Sequence, residues 1–130
     1  MLVVQCNCKS CRRLTGSINI GCLYANTEVD FEGETNVYEF AGVSGFINKA
    51  YFCSKCNARV YNKPAHEVMA GMVSMLLGCF NNTNELAPKV EIWSHEKLTF
   101  LSKSECILKA FEGNGIPERL NALLSSLESR

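Results

Sequence analysis

An excess of either charge is missing from this chain: 13 lysines and arginines stand against 13 aspartates and glutamates, for a formal net charge of zero. Without a basic surplus there is no electrostatic footprint for nucleic acid phosphates or an anionic lipid surface, so neither is expected as a partner. Long apolar runs are also missing. The longest, Val68 to Phe80, carries a serine and two glycines and falls short of the about 20 residues a membrane-spanning helix needs. Proline is scarce, with Pro64, Pro88 and Pro117 alone, and no repeat, low-complexity tract or charge block marks a linker. One compact fold of this length can bury a core without disulfide staples. The opening residues, MLVVQCNCKSC, lack the basic stretch and small-residue cleavage pattern of a secretory signal. A reducing compartment is therefore expected, the cytoplasm first and the nucleus second.

What the chain has in quantity is cysteine, eight residues in all. Where thiols are kept reduced, a dense group points to metal binding or catalysis rather than to disulfides. Five fall into two groups, Cys6-x-Cys8-x-x-Cys11 and Cys53-x-x-Cys56. A Cys-x-x-Cys turn brings two sulfurs close enough to share one tetrahedral zinc, and its backbone amides can donate to the thiolates. Asn57, directly after the second pair, suits the positive φ such turns demand. Two partitions are open. Cys8, Cys11, Cys53 and Cys56 can form one closed four-sulfur site with Cys6 left as a free thiol. Alternatively Cys6, Cys8 and Cys11 hold one zinc with a vacant fourth position, and Cys53 with Cys56 serve another metal. Only the second is shaped for chemistry. Cys22, Cys79 and Cys106, each isolated, are expected as buried small hydrophobes.

The rest reads as mostly β. Short β-branched and aromatic segments recur at Leu2–Gln5, Ile18–Tyr24, Asn36–Phe40, Phe46–Phe52, Arg59–Tyr61, Val68–Met75, Val90–Trp93 and Leu98–Leu101. Helical signal is confined to the end, where Pro117 suits a first turn and Leu120, Leu123, Leu124 and Leu127 form an apolar stripe. The expectation is a zinc-stapled, multi-sheet β domain over residues 1–101, followed by a helical extension over 102–130. Met69, Met72 and Met75 are assigned to the core. Glu91 and Trp93, in alternating strand positions, are expected on one side, with Glu91 as a rim carboxylate. His66 and His95 are assigned to the surface.

Several of these motifs together resemble a known family. Cys6-Asn7-Cys8-Lys9-Ser10-Cys11-Arg12-Arg13-Leu14-Thr15-Gly16-Ser17, Tyr51-Phe52-Cys53-Ser54-Lys55-Cys56, Gly78-Cys79-Phe80-Asn81-Asn82 and Pro88-Lys89-Val90-Glu91-Ile92-Trp93 follow one another as in the glutathione-dependent formaldehyde-activating enzyme family, which also contains centromere protein V. The resemblance implies a catalytic zinc on Cys6, Cys8 and Cys11. It also implies that Cys53 and Cys56 belong to a structural zinc completed by two upstream cysteines. This sequence starts at the strand leading into Cys6 and carries neither, so the later pair is expected to recruit other ligands, share a site with Cys8 and Cys11, or go without metal.

An open three-thiolate zinc lowers the pKa of an incoming thiol and polarises a carbonyl. By resemblance the activity is a carbon–sulfur lyase type of step on an adduct of glutathione, or another thiol, with an aldehyde. Arg12 and Arg13, directly after the third cysteine, are the candidate contacts for a carboxylate of that thiol. The competing expectation is a non-catalytic zinc module that binds a protein partner, similar to centromere protein V.

Overall fold

Strand β1, Leu2–Cys6, is buried along its whole length, because it is hydrogen-bonded on both sides and covered on both faces. The computed structural model describes residues 1–65, 67–115, 119, 121, 122 and 125. Its further strands are β2 (Asn19–Ala25), β3 (Thr35–Ala41), β4 (Ile47–Cys53), β5 (Arg59–Pro64), β6 (Met72–Leu76), β7 (Val90–Ile92) and β8 (Lys109–Ala110). They form one sheet in the order β3-β4-β5-β6-β2-β1-β7-β8. The pairings are antiparallel except β1 with β7 and β7 with β8.

The mostly β expectation therefore holds, but among the described residues the strands form one sheet of eight rather than several sheets. The reason is β1. Its second edge takes up β7 in parallel, from a segment more than 80 residues away, and so joins what would otherwise be two smaller sheets. The sheet also curls. A register shift between Tyr51 and Phe52 bends β4 against β5, and Phe40 and Asn48 of the β3–β4 hairpin line the same cavity as Val4 and Cys6 of β1.

Side-chain alternation distributes the core over both faces of β1. Leu2, Val4 and Cys6 pack with Leu23, Met69, Val90 and Ile92, while Val3 packs with Cys22 and Leu86 on the other face. Met72 and Met75 pack against these two clusters, so the three methionines belong to the core as expected. Among the described residues no helix is long and apolar enough to cross a membrane.

Two sequence expectations about elements and one about isolated cysteines need correction. Leu98–Leu101 is a turn rather than a strand, and the eighth strand is Lys109–Ala110, which adds to β7. Helix is not confined to the C-terminus. A helix, α1, spans Lys9–Thr15, started by Cys8, whose thiol accepts a hydrogen bond from the Cys11 amide at 3.4 Å. A sulfur at this position is not among the usual N-cap signals, which are Ser, Thr, Asp and Asn. The leucine stripe of the expected C-terminal helix lies outside the described residues, as does His66. Of the isolated cysteines, Cys22 is fully buried as expected, but Cys79 is exposed and Cys106 only half-buried, because both sit in loops beyond strand ends.

Gly16 ends α1 in the left-handed region (φ 87), its N–H bonded to the Arg12 carbonyl at 2.7 Å. A Cβ there would meet nothing within 4 Å, so the cost of Gly16→Ala is backbone strain alone, about 1 kcal/mol. A drop of roughly 3 °C in melting temperature, with metal content unchanged, is the expected result of calorimetry on this variant. No change in melting temperature would show that the helix end does not depend on this conformation.

Candidate metal centre

The strand–helix junction assembles the site. Cys6 is the last residue of β1, Cys8 caps α1 and Cys11 lies in its first turn. Their Sγ atoms all lie within 4.8 Å of one another. Cys6 and Cys8 are buried and Cys11 is half-buried.

Asn7, between the first two, turns the opposite way and is fully buried. Its Nδ2 donates to Glu91 Oε1 at 2.9 Å and to the Ile92 carbonyl at 3.3 Å, and its amide donates to the same carbonyl at 3.2 Å. Gln5 Nε2 donates to Glu91 Oε1 at 3.2 Å, and Lys97 Nζ closes an ion pair with that oxygen at 3.2 Å. Glu91 is thus the buried anchor of the turn, not a rim carboxylate. Parallel pairing of β1 with β7 sets it beside Gln5, away from the thiols. Trp93 does not continue the strand alternation from Glu91, because it takes a left-handed backbone (φ 56) and lines the cavity instead.

The three thiols titrate as one system. Hydrogen bonds from the Cys11 and Cys6 thiols, helped by the Cys11 and Ser10 amides, lower Cys8 to about 3. Cys6 is pushed up by its hydrogen bonds to Cys11 and Cys8 and by burial. Cys11 is pulled down by its bond to Cys6, but the bond to Cys8 and burial outweigh this and push it up to about 12. Hydrogen bonding within the trio therefore favours the charged form at Cys8 and the neutral form at Cys6 and Cys11.

The donor set fits a soft or borderline divalent ion. Around a tetrahedral ion with metal–sulfur bonds of about 2.3 Å, neighbouring sulfurs stand about 3.8 Å apart. The spread of the trio is compatible with that spacing. Three protein ligands leave one position for an incoming molecule. Metal binding would release the protons retained by Cys6 and Cys11.

Cys53 and Cys56 do not join this group. Cys53 ends β4, and its thiol, on the surface, is lowered by hydrogen bonds from the Cys56 and Lys55 amides and the Cys56 thiol. As its position predicts, Asn57 has positive φ (59), with its amide bonded to the Cys53 carbonyl at 2.9 Å. Partial desolvation raises the pKa of the Cys79 thiol, with a smaller contribution from nearby Cys56. Among the described residues, no third metal-ligating side chain stands within ligand distance of the Cys53–Cys56 pair.

Arg12 and Arg13 do not line the cavity beside the trio. Arg12 Nη1 donates to the Glu96 carbonyl at 3.1 Å, Arg13 is exposed, and both border a shallow surface depression with Lys9. His95 is exposed and its Nδ1 meets the Glu112 carbonyl. The arginines near the thiols are two that sequence reasoning missed. Arg59 is buried at the start of β5, donating from Nε to Asn62 Oδ1 at 3.0 Å and from Nη1 to Asn19 Oδ1 at 3.4 Å. Burial lowers its pKa, while the charges of Cys11, Cys6 and Cys8 raise it. Arg119 is likewise lowered by burial and raised by Cys6 and Cys11. A signal existed for Arg59, an inward strand position shared with buried Tyr61. None marked Arg119.

The trio opens on a cavity of about 140 Å³, bordered by Trp93, Phe40, Phe46, Asn62, Asn114 and Arg119 among others. A mostly apolar wall with a few convergent polar groups is the usual form of a small-molecule site. A family model described as glutathione-dependent formaldehyde-activating enzyme matches residues 1–96. A search of curated proteins found no match.

Proposed function

Since this chain belongs to the glutathione-dependent formaldehyde-activating enzyme family, we propose that it is a zinc-dependent, carbon–sulfur lyase-like enzyme acting on the adduct of glutathione, or a similar thiol, with an aldehyde. One observation carries the reading: three cysteine sulfurs from a single strand–helix junction converge beside a cavity. Cys6, Cys8 and Cys11 would hold the ion, which when bound supplies a lowered thiol pKa and polarisation of a carbonyl. The remaining work falls to the chain. The apolar wall excludes water and strengthens charge interactions inside the cavity. Arg59, fixed by Asn19 and Asn62, offsets the negative charge of the thiolates. In the forward direction a thiol sulfur bonds to the aldehyde carbon, the carbonyl π bond opens, and the proton leaving the sulfur ends on the new hydroxyl. The reverse step breaks that carbon–sulfur bond. A reducing, cytoplasmic location, where glutathione is plentiful, belongs to the same proposal.

Cobalt substitution tests it. Glutathione added to the cobalt-loaded protein is expected to shift the visible absorption of the ion at sub-millimolar to millimolar thiol. The exchange between free formaldehyde, glutathione and their adduct, followed by NMR, is expected to speed up with the zinc-loaded protein. An unchanged cobalt spectrum across that range, with no faster exchange, would reject the enzyme reading in favour of a closed or purely structural metal site.

A further inference from the structure

We propose that Arg119, steadied by Asn114, docks a carboxylate of the molecule occupying the cavity, so that this chain selects acidic thiols over neutral ones of equal size. The inference rests on the proposed function for the sulfur end of the ligand and names what recognises its other end. Arg119 lies outside residues 1–96, so the family match does not account for it.

Two observations converge on it. The first is an unspent donor. Arg119 Nη2 donates to Asn114 Oδ1 at 2.6 Å, while Nε is buried and has no partner among the described residues. Arg119 and Asn114 both line the cavity that holds the thiol trio. A guanidinium grips a carboxylate by donating from adjacent N–H groups along one edge. With Nη2 anchored on Asn114, the Nε edge is held ready for an acceptor. A buried donor left unpaired is unfavourable, and a ligand oxygen would satisfy it.

The second is charge. Three thiolates with a divalent ion leave a single negative charge, and Arg59 and Arg119 bring two positive ones to the same neighbourhood. No aspartate or glutamate lines the cavity among the described residues, and Glu91 is engaged by Lys97 on the other side of β1. The loaded site is thus one positive charge in excess. The sulfur of an incoming thiolate offsets that surplus at the ion, whereas the unpartnered Nε of Arg119 still calls for an acceptor of its own. A peptide-like thiol with carboxylates at its ends supplies one; a neutral thiol does not.

The experiment uses the cobalt-loaded full chain, titrated with glutathione, glutathione diethyl ester and S-methylglutathione. Calorimetry and cobalt absorption are read for the wild type, Arg119→Gln and Arg119→Lys, with thermal melts as a folding check. The wild type is expected to bind glutathione about tenfold or more tighter than the diester. Arg119→Gln is expected to lose that margin for glutathione and S-methylglutathione while binding the diester as before, and Arg119→Lys to keep part of it. Should Arg119→Gln fail to fold, Asn114→Ala leaves the guanidinium in place and is expected to narrow the same margin. Equal affinity for acid and diester in the wild type, or equal weakening of both in the variant, overturns the proposal while leaving a thiol-shifted cobalt spectrum, and the proposed function, standing. Arg119-dependent binding of S-methylglutathione with no cobalt shift from glutathione supports the carboxylate site and removes the proposed function. No binding of any of the three overturns both.

Discussion

Serine in place of Cys8 is expected to weaken metal binding at the trio by well over 100-fold, whereas serine in place of Cys56 is expected to leave that metal in position. Loss of a supporting residue around a metal commonly costs about 10- to 100-fold in affinity, so loss of a direct thiolate ligand exceeds this. Cys8 supplies one of the three converging sulfurs, so its loss leaves only two ligands. It is also the N-cap of α1, and serine is a good N-cap, so Cys8→Ser keeps the helix start while removing the soft donor. The variant therefore separates ligand loss from unfolding. Metal per chain after dialysis, read beside circular dichroism, is the measurement. Cys6→Ser adds the discriminating case, since a trio requires Cys6 and a closed site of Cys8, Cys11, Cys53 and Cys56 does not. Full metal content in Cys6→Ser, together with its loss in Cys56→Ser, would overturn the three-thiol centre.

The second large effect is expected at Glu91. Its carboxylate, almost fully buried, accepts from Gln5 and Asn7 and pairs with Lys97, which is itself 18% exposed. Glu91→Leu leaves an ammonium without its counter-charge and takes one acceptor each from the Gln5 and Asn7 amides, which keep only the longer bonds to Asn7 Oδ1 and the Ile92 carbonyl. Breaking a buried ion pair from one side costs about 3–5 kcal/mol, and the weakened amide bonds add to that. A fall in melting temperature of about 10 °C or more is expected. Glu91→Gln retains a carbonyl oxygen for Asn7 and is expected to lose less. Because Asn7 is the hinge between Cys6 and Cys8, the leucine variant is also expected to bind the trio's metal about 10- to 100-fold more weakly. A Glu91→Leu protein within 1 kcal/mol of the wild type in urea melts would show that the network is not what holds the turn.

Much of the fold was visible in residue order. Seven of the eight strand segments expected from β-branched and aromatic runs correspond to strands, with ends shifted by a few residues. The miss at Leu98–Leu101 shows what such runs cannot carry. A short apolar segment becomes a strand only where a neighbour offers its edge, and β7 offers its edge to Lys109–Ala110 instead. Helix α1 was missed for a local reason. The same cysteine that reads as a metal ligand also caps the helix, and nothing in composition distinguishes a capping thiol from a free one.

The site shows the same division. Cys6, Cys8 and Cys11 are brought together by a strand end and one helical turn, both short-range structures, so spacing marked them as candidate ligands, but it left open a site of Cys8, Cys11, Cys53 and Cys56 with Cys6 free, and only the structure groups the three. Glu91 was misplaced because alternation along a three-residue strand says nothing about which neighbour covers it. Its burial follows from register, with Glu91 beside Gln5 in the parallel pair. Arg12 and Arg13 drew notice by adjacency, yet helix geometry turns them away from the cavity.

By itself, then, the order of residues determined that this chain is mostly β, that three early thiols are candidate ligands, and that Asn57 takes a left-handed turn, since each depends on interactions among near neighbours. Only the tertiary structure decided that a single curled sheet forms, that Glu91 anchors the thiol turn from behind, and that Arg59 and Arg119 stand near the sulfurs. Those facts depend on pairings between segments tens of residues apart. The free energy of such pairings comes from burial and register in the assembled sheet, and it leaves no periodic trace along the chain.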